Sequence, residues 1–136
     1  MVNLQNVSIL QNKNLILDSI DLEIFEGEFV FLIGKTGSGK SSLLKTIYAD
    51  LPMKSGKGDV CGQDLSEITL KKTALLRRKL GIVFQNFELL TDRSVSDNLE
   101  FVLRATGWNK PSAIKSRIED VLEAVGLSHK LNKLPF

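Results

Sequence analysis

Eight consecutive residues, Gly34, Lys35, Thr36, Gly37, Ser38, Gly39, Lys40 and Ser41, satisfy the spacing G-x-x-x-x-G-K-[ST] without a mismatch. They lie between the apolar run "FVFLI" and the helix-like run "SSLLKTIYADL", so the chain has to pass from strand to helix through a glycine-rich loop. Glycines let successive backbone N–H groups turn inward toward phosphate oxygens, a concavity that Cβ atoms would obstruct. A helix opening near Ser41 adds unpaired N–H groups and about half a positive charge aimed at the same place. Lys40 can then reach β- and γ-phosphates as a mobile cation, and the Ser41 hydroxyl can complete the shell of a Mg²⁺ bridging them. Ser42 supplies an additional phosphate contact. These residues predict a site for ATP with Mg²⁺.

Other nucleotide-binding patterns fail on particular residues. "DVCG", Asp59 to Gly62, meets the D-x-x-G spacing of GTPases, but guanine selection uses N-K-x-D, and "NKPS" from Asn109 and "NKLP" from Asn132 both lack the aspartate. A dinucleotide fingerprint G-x-G-x-x-G breaks at Ser42.

The 136 residues supply one domain's worth of material, 43% hydrophobic and 25% charged, which reads as globular. Eighteen basic against 16 acidic residues is too even a balance for a nucleic-acid binder. No apolar stretch approaches the ~18 to 20 residues that cross a bilayer, and "MVNLQNVSIL" lacks the basic start of a secretory signal, so a cytoplasmic location is expected. The single cysteine, Cys61, reads as a packing residue and the single histidine, His129, as a surface residue at a helix end; neither leaves material for a multi-histidine metal site or a serine-histidine triad.

Residues 2 to 9 and 15 to 25 read as antiparallel strands joined by "QNKN", since Ile20, Leu22 and Ile24 alternate with Ser19, Asp21 and Glu23. "FVFLI" has the continuous apolar character of a strand covered on both faces. The run after the loop predicts a helix stopped near Pro52, "KSGKGDVCGQD" a loop with a short strand, "TLKKTALLRRKL" a second helix, and "IVF" a short strand leading into Gln85. The basic cluster Lys71, Lys72, Arg77, Arg78 and Lys79 reads as a solvated face. Beyond residue 93 the pattern is helical: Ser94 and Asp97 have capping-box spacing, Gly107 is a stop, and Ile114, Ile118, Val121, Leu122 and Val125 make one apolar stripe before Gly126.

From about Leu4 to its end, the chain resembles the ATP-binding subunits of ABC transporters. The persuasive stretch is "LRRKLGIVFQNFELLTDRSVSDNL", residues 76 to 99, in which Gln85 occupies the place of a glutamine that ends a strand after the loop helix and a helical insert. By resemblance Gln85 touches Mg²⁺ and the attacking water and communicates with a membrane partner. Asp92 and Arg93 after the leucine pair are most similar to the cell-division group of the family, FtsE, whose partner is the membrane protein FtsX; lipoprotein-releasing and macrolide-exporter ATPases share most of the same motifs. The resemblance implies an α/β fold, a P-loop ABC ATPase domain incomplete over these residues: an antiparallel β subdomain and part of the P-loop core over 1–93, then the start of a helical subdomain over 94–136. It also implies a homodimer of the intact subunit, held on the inner face of the membrane by a permease-like partner.

The sequence departs from the family in two places. The aromatic that stacks on adenine is replaced within "SILQN" by Leu10 or Gln11, so apolar contact would stand in for stacking. The signature, Walker B aspartate, catalytic glutamate and switch histidine have no counterpart up to "HKLNKLPF", and His129 precedes the signature position. Residues 1–136 alone are therefore expected not to hydrolyse ATP, and "FVFLI" and "IVF" to expose apolar edges for want of a shared neighbouring strand. The contrasting expectation is a non-enzymatic nucleotide-binding remnant.

Overall fold

The computed structural model describes residues 1–136, which form two compact units, Met1–Gly81 and Ile82–Phe136. In the first, β1 (Val2–Gln11) and β2 (Asn14–Ile24) pair antiparallel from Val2 opposite Ile24 to Gln11 opposite Asn14. Asn12 and Lys13 connect them at φ 50° and 67°, the two positive angles that a twisted two-residue hairpin requires. The expected alternation holds along β2, with Ile20, Leu22 and Ile24 half-buried and Ser19, Asp21 and Glu23 exposed. A register shift between Leu4 and Val7 puts Val7, Ser8 and Ile9 all inside. The buried Ser8 is satisfied there: its hydroxyl donates to Asp18 Oδ1 at 2.7 Å and accepts from the Ser19 amide at 3.1 Å.

The other edge of β1 carries β3 (Met53–Val60), and β3 carries the two-residue β4 (Gln63–Asp64), giving the antiparallel order β2-β1-β3-β4. Here the sequence reading falls short: most of "KSGKGDVCGQD" is strand. Its Lys and Gly residues have weak strand preference, but the open ladder of β1 pairs with them from Met53 to Val60, and cross-strand context outweighs intrinsic propensity. The "DVCG" segment is the β3–β4 hairpin itself, with Cys61 and Gly62 at positive φ and the Gly62 amide donating to Asp59 Oδ1 at 3.0 Å.

Leu4, Val7, Ile9 and Val60 from the sheet meet Leu43 of α1 (Lys40–Ile47), Leu76 of α2 (Leu70–Arg77) and Leu65 in one buried cluster, against which the half-buried Cys61 also packs. The helix α1 stops four residues earlier than Pro52 suggests, because Ala49 turns left-handed at φ 55° and the Asp50 and Leu51 amides both fold back onto the Lys45 carbonyl. Arg77 of α2 completes that end, donating from Nε to the Tyr48 carbonyl at 3.0 Å and from Nη2 to the Ala49 carbonyl at 3.2 Å. Lys79 donates to the Cys61 carbonyl and Lys72 pairs with Glu67, so several members of the basic cluster serve the fold itself.

Two apolar runs differ from the strands expected of them. Residues 29–33 take part in no ladder and are exposed, Ile33 at 88%, and residues 82–84 are likewise unpaired with Val83 95% exposed. A strand covered on both faces needs a ladder on each edge and a layer above and below; the four sheet positions are filled by β2, β1, β3 and β4, and neither run joins them. The apolar exposure that the family resemblance implied for these runs is present.

In the second unit, α3 (Val95–Ala105) opens on the expected capping box: Ser94 Oγ accepts from the Asp97 amide at 3.1 Å and Asp97 Oδ2 accepts from the Ser94 amide at 3.3 Å. The next amides are closed by chain carbonyls, Val95 N–H on Lys133 and Ser96 N–H on Leu131. Ile114, Ile118 and Leu122 of α4 (Pro111–Ala124) are buried against Val95, Leu99, Leu103 and Leu131. Val125, the last member of the predicted stripe, is 65% exposed because the helix ends at Ala124 and the following backbone leaves helical geometry. His129 sits exposed in a short 3-10 turn, Ser128–Lys130, as read from the sequence.

Candidate functional site

The glycine-rich octet lies in the first unit and leads into α1, whose N-terminal cap is Gly39. A glycine cap offers no side-chain acceptor, so no side-chain oxygen caps the first-turn N–H groups of α1. In α3, by contrast, the first turn is closed by Ser94 and by chain carbonyls.

Gly39 holds φ at 89°, and a Cβ there would stand 2.8 Å from Leu17 Cδ2 and 3.1 Å from Ile16 Cγ2. Only glycine both adopts the turn and admits β2 this close to the loop. A Cβ on Gly34 would meet Ser38 Oγ at 2.7 Å, so the opening glycine leaves room for the far side of the same loop. The Ser38 amide donates to the Lys35 carbonyl at 3.1 Å, forming the tight turn around Thr36 and Gly37.

Lys40 extends back over this loop. Its ammonium donates to the Gly34 carbonyl at 2.7 Å and to the Lys35 carbonyl at 2.8 Å, which places one full positive charge across the concavity. Ser41 is exposed, whereas Ser42 is buried and donates to Gln11 Oε1 at 3.1 Å. Gly34 to Ser42 are thus together in one loop and helix turn. Gln85 is in the second unit, exposed, in a turn closed by the Phe87 amide on the Phe84 carbonyl at 3.1 Å, and so does not end a strand.

Nowhere do three or more His, Cys, Asp or Glu side chains converge as a metal cage. A single Ser41 oxygen beside a phosphate cradle suits Mg²⁺, which keeps several waters and binds largely through substrate phosphates. Nor is any helix long and apolar enough to cross a membrane. The link between Gln11 and Ser42 was not legible from spacing, since the two are 31 residues apart and no motif relates them.

Residues 17–135 match the family description "ABC transporter". The chain belongs to the ABC transporter family. This chain is 40% identical over 119 residues to the cell division ATP-binding protein FtsE of Bacillus subtilis, covering 88% of this chain and 52% of that protein. It is 37% identical over 119 residues to the methionine import ATP-binding protein MetN 2 of Salmonella choleraesuis, covering 88% of this chain and 35% of that one. A solved ATP-binding cassette, a dimer in a post-hydrolysis state bound to ADP and Pi, superposes with a TM-score of 0.83 at 26% identity, over 99% of this chain and 62% of its own. The chain spans about half the length of the FtsE relatives it matches. In this chain the antiparallel sheet lies in the same compact unit as the glycine-rich loop and α1.

Proposed function

We propose that Gly34 to Ser41 bind the phosphates of ATP, with Lys40 on the β- and γ-phosphates, Ser41 on Mg²⁺ and Ser42 as a further phosphate contact. The observation carrying this reading is the Lys40 ammonium, held by two loop carbonyls over a helix N-terminus that has no side-chain cap. When bound, Mg²⁺ supplies charge neutralisation between phosphate oxygens. Gln85 is proposed to approach that ion and the attacking water, and residues 1–93 and 94–136 are proposed as the nucleotide core with its β subdomain and the start of the helical subdomain. Titration with ATP and Mg²⁺ tests the site: Lys40→Ala should weaken binding by about tenfold, since a hydrogen bond to a charged group contributes roughly 1.5–3 kcal/mol. Unchanged affinity would remove Lys40 from the site.

In the intact protein we infer ATP hydrolysis by a homodimer on the inner membrane face, coupled to an FtsX-like partner in cell division. Similarity to FtsE and the "LLTDR" stretch with Asp92 and Arg93 support this. Similarity to MetN 2 supports a second reading, the ATPase of a methionine importer. Capture of detergent-solubilised FtsX by the protein favours the first, and capture of a methionine permease the second. Residues 1–136 alone are expected to bind ATP without turnover, because the groups that the resemblance assigns to hydrolysis are not among them. Phosphate release above a Lys40→Ala control would refute that.

A further inference from the structure

Gln11 closes β1 opposite Asn14, at the tip of the β1–β2 hairpin, and accepts a hydrogen bond from the Ser42 hydroxyl on its Oε1 at 3.1 Å. Ser42 is only 7% exposed and lies in the first turn of α1, one residue after Ser41. The same hairpin brings Ile16 and Leu17 against Gly39, so hairpin tip, loop and helix start are packed as one piece. Gln11 itself is exposed.

A hydroxyl has one proton to give and two lone pairs to receive, whereas a carboxamide presents either an acceptor oxygen or a donor NH₂. With Oε1 toward Ser42, the Ser42 proton is committed to Gln11. With the amide turned over, Nε2 donates to Ser42 Oγ, and the Ser42 proton becomes available to an anion at the first turn. We propose that Gln11 is a positioning residue for the phosphate site, which keeps the buried Ser42 hydroxyl hydrogen-bonded in both arrangements and, by rotating its own carboxamide, frees the Ser42 O–H to donate a hydrogen bond to a bound phosphate. The proposal rests on the phosphate-binding reading of the loop and deepens it: the hairpin tip, where family resemblance places the adenine contact, acts here on the phosphates.

The test is calorimetric titration with Mg²⁺-tripolyphosphate, which has no base, alongside Mg²⁺-ATP. Gln11→Glu is nearly isosteric, but its carboxylate accepts only and holds the Ser42 proton in a charge-assisted bond. It should weaken both ligands by about tenfold. In a Ser42→Ala background that sensitivity should shrink to about twofold or less, because an exposed charge acting through solvent alone is screened in ~0.15 M salt. Thermal melting should stay within a few degrees of the unsubstituted protein.

Unchanged tripolyphosphate affinity in Gln11→Glu overturns the proposal, as does a loss confined to ATP or one that persists in full without the Ser42 hydroxyl. Ser42→Ala by itself gives a second decision independent of how Gln11→Glu folds: it should weaken tripolyphosphate several-fold, and an unchanged value also overturns the proposal. Failure of the unsubstituted protein to bind either ligand would overturn the nucleotide reading itself. Normal binding that is lost in Lys40→Ala but indifferent to Gln11 would overturn this inference alone.

Discussion

Arg77 in α2 donates through Nε to the Tyr48 carbonyl at 3.0 Å, so the helix after the sheet finishes the helix that begins at the glycine-rich loop. A second donor from the same guanidinium reaches the Ala49 carbonyl, and Asp50 lies within ion-pair distance at 3.4 Å. Carbonyls at a helix end carry the partial negative charge of the dipole, and a planar fork can serve two of them at once. Arg77→Ala should therefore cost about 1–2 kcal/mol in urea denaturation, a discounted figure because the group is partly exposed. Arg77→Lys should recover less than half, having a single point of charge. Equal stability of all three proteins would show that the contacts contribute nothing.

Gly34 and Gly39 should respond differently to alanine. At Gly34 the obstructing atom is the Ser38 hydroxyl, the end of a small side chain that can rotate away. At Gly39 the obstacle is the body of Leu17, and φ of 89° strains any L side chain. Gly39→Ala is expected to destabilise the first unit by about 2 kcal/mol or more and Gly34→Ala by under about 1 kcal/mol. Chemical denaturation would decide, and the reverse order would contradict the loop geometry.

Thr46 is 1% exposed, and its Oγ1 has no hydrogen-bond partner. An unsatisfied buried hydroxyl costs roughly 1–3 kcal/mol, and valine has the same shape with similar helix preference. Thr46→Val should raise stability by about 1 kcal/mol. A drop of that size would reveal a partner for the hydroxyl.

In the second unit, Ile118 is buried among Leu99, Leu103 and Leu131 and its neighbours on α4, while Val125 is past the helix end. Ile118→Ala should lose about 2–4 kcal/mol by transfer and cavity terms, and Val125→Ala about 0.5 kcal/mol or less. Comparable losses would mean that the stripe continues through Val125 after all.

Asp64 Oδ1 receives the Ser66 hydroxyl at 2.6 Å and the Ser66 amide at 2.8 Å, with Lys72 adding a weaker attraction. These bonds hold its carboxyl below the ordinary value of 3.8. A carboxyl depressed on folding contributes stability above the unfolded value and loses it as pH falls through the folded one. Carbon-detected NMR titration should place Asp64 below 3.8, with Ser66→Ala moving it up toward that value. No movement in Ser66→Ala would exclude the hydroxyl as the main cause.

The parts legible from sequence are those governed by neighbours along the chain. The Ser94–Asp97 box, the Asn12–Lys13 hairpin, the alternation of β2 and the placement of Gly34 to Ser42 in one loop and helix turn all follow from contacts within a few residues. The errors fall where a distant element decides. Polar, glycine-containing β3 becomes a strand because β1 has an open edge beside it, and the apolar 29–33 run stays unpaired because no ladder reaches it.

The same division holds at the site. Sequence alone determined that a glycine-rich loop leads into a helix whose first two residues are Lys40 and Ser41, since glycine backbone freedom and the loop-to-helix spacing are local properties. Only the tertiary structure decided that Lys40 rests on the Gly34 and Lys35 carbonyls, that Leu17 forbids a side chain at Gly39, and that the Ser42 hydroxyl donates to Gln11 Oε1. Those contacts depend on how the hairpin folds over the loop, and hydrophobic packing of Leu4, Val7, Ile9 and Leu43 sets that arrangement without leaving a spacing rule in the chain.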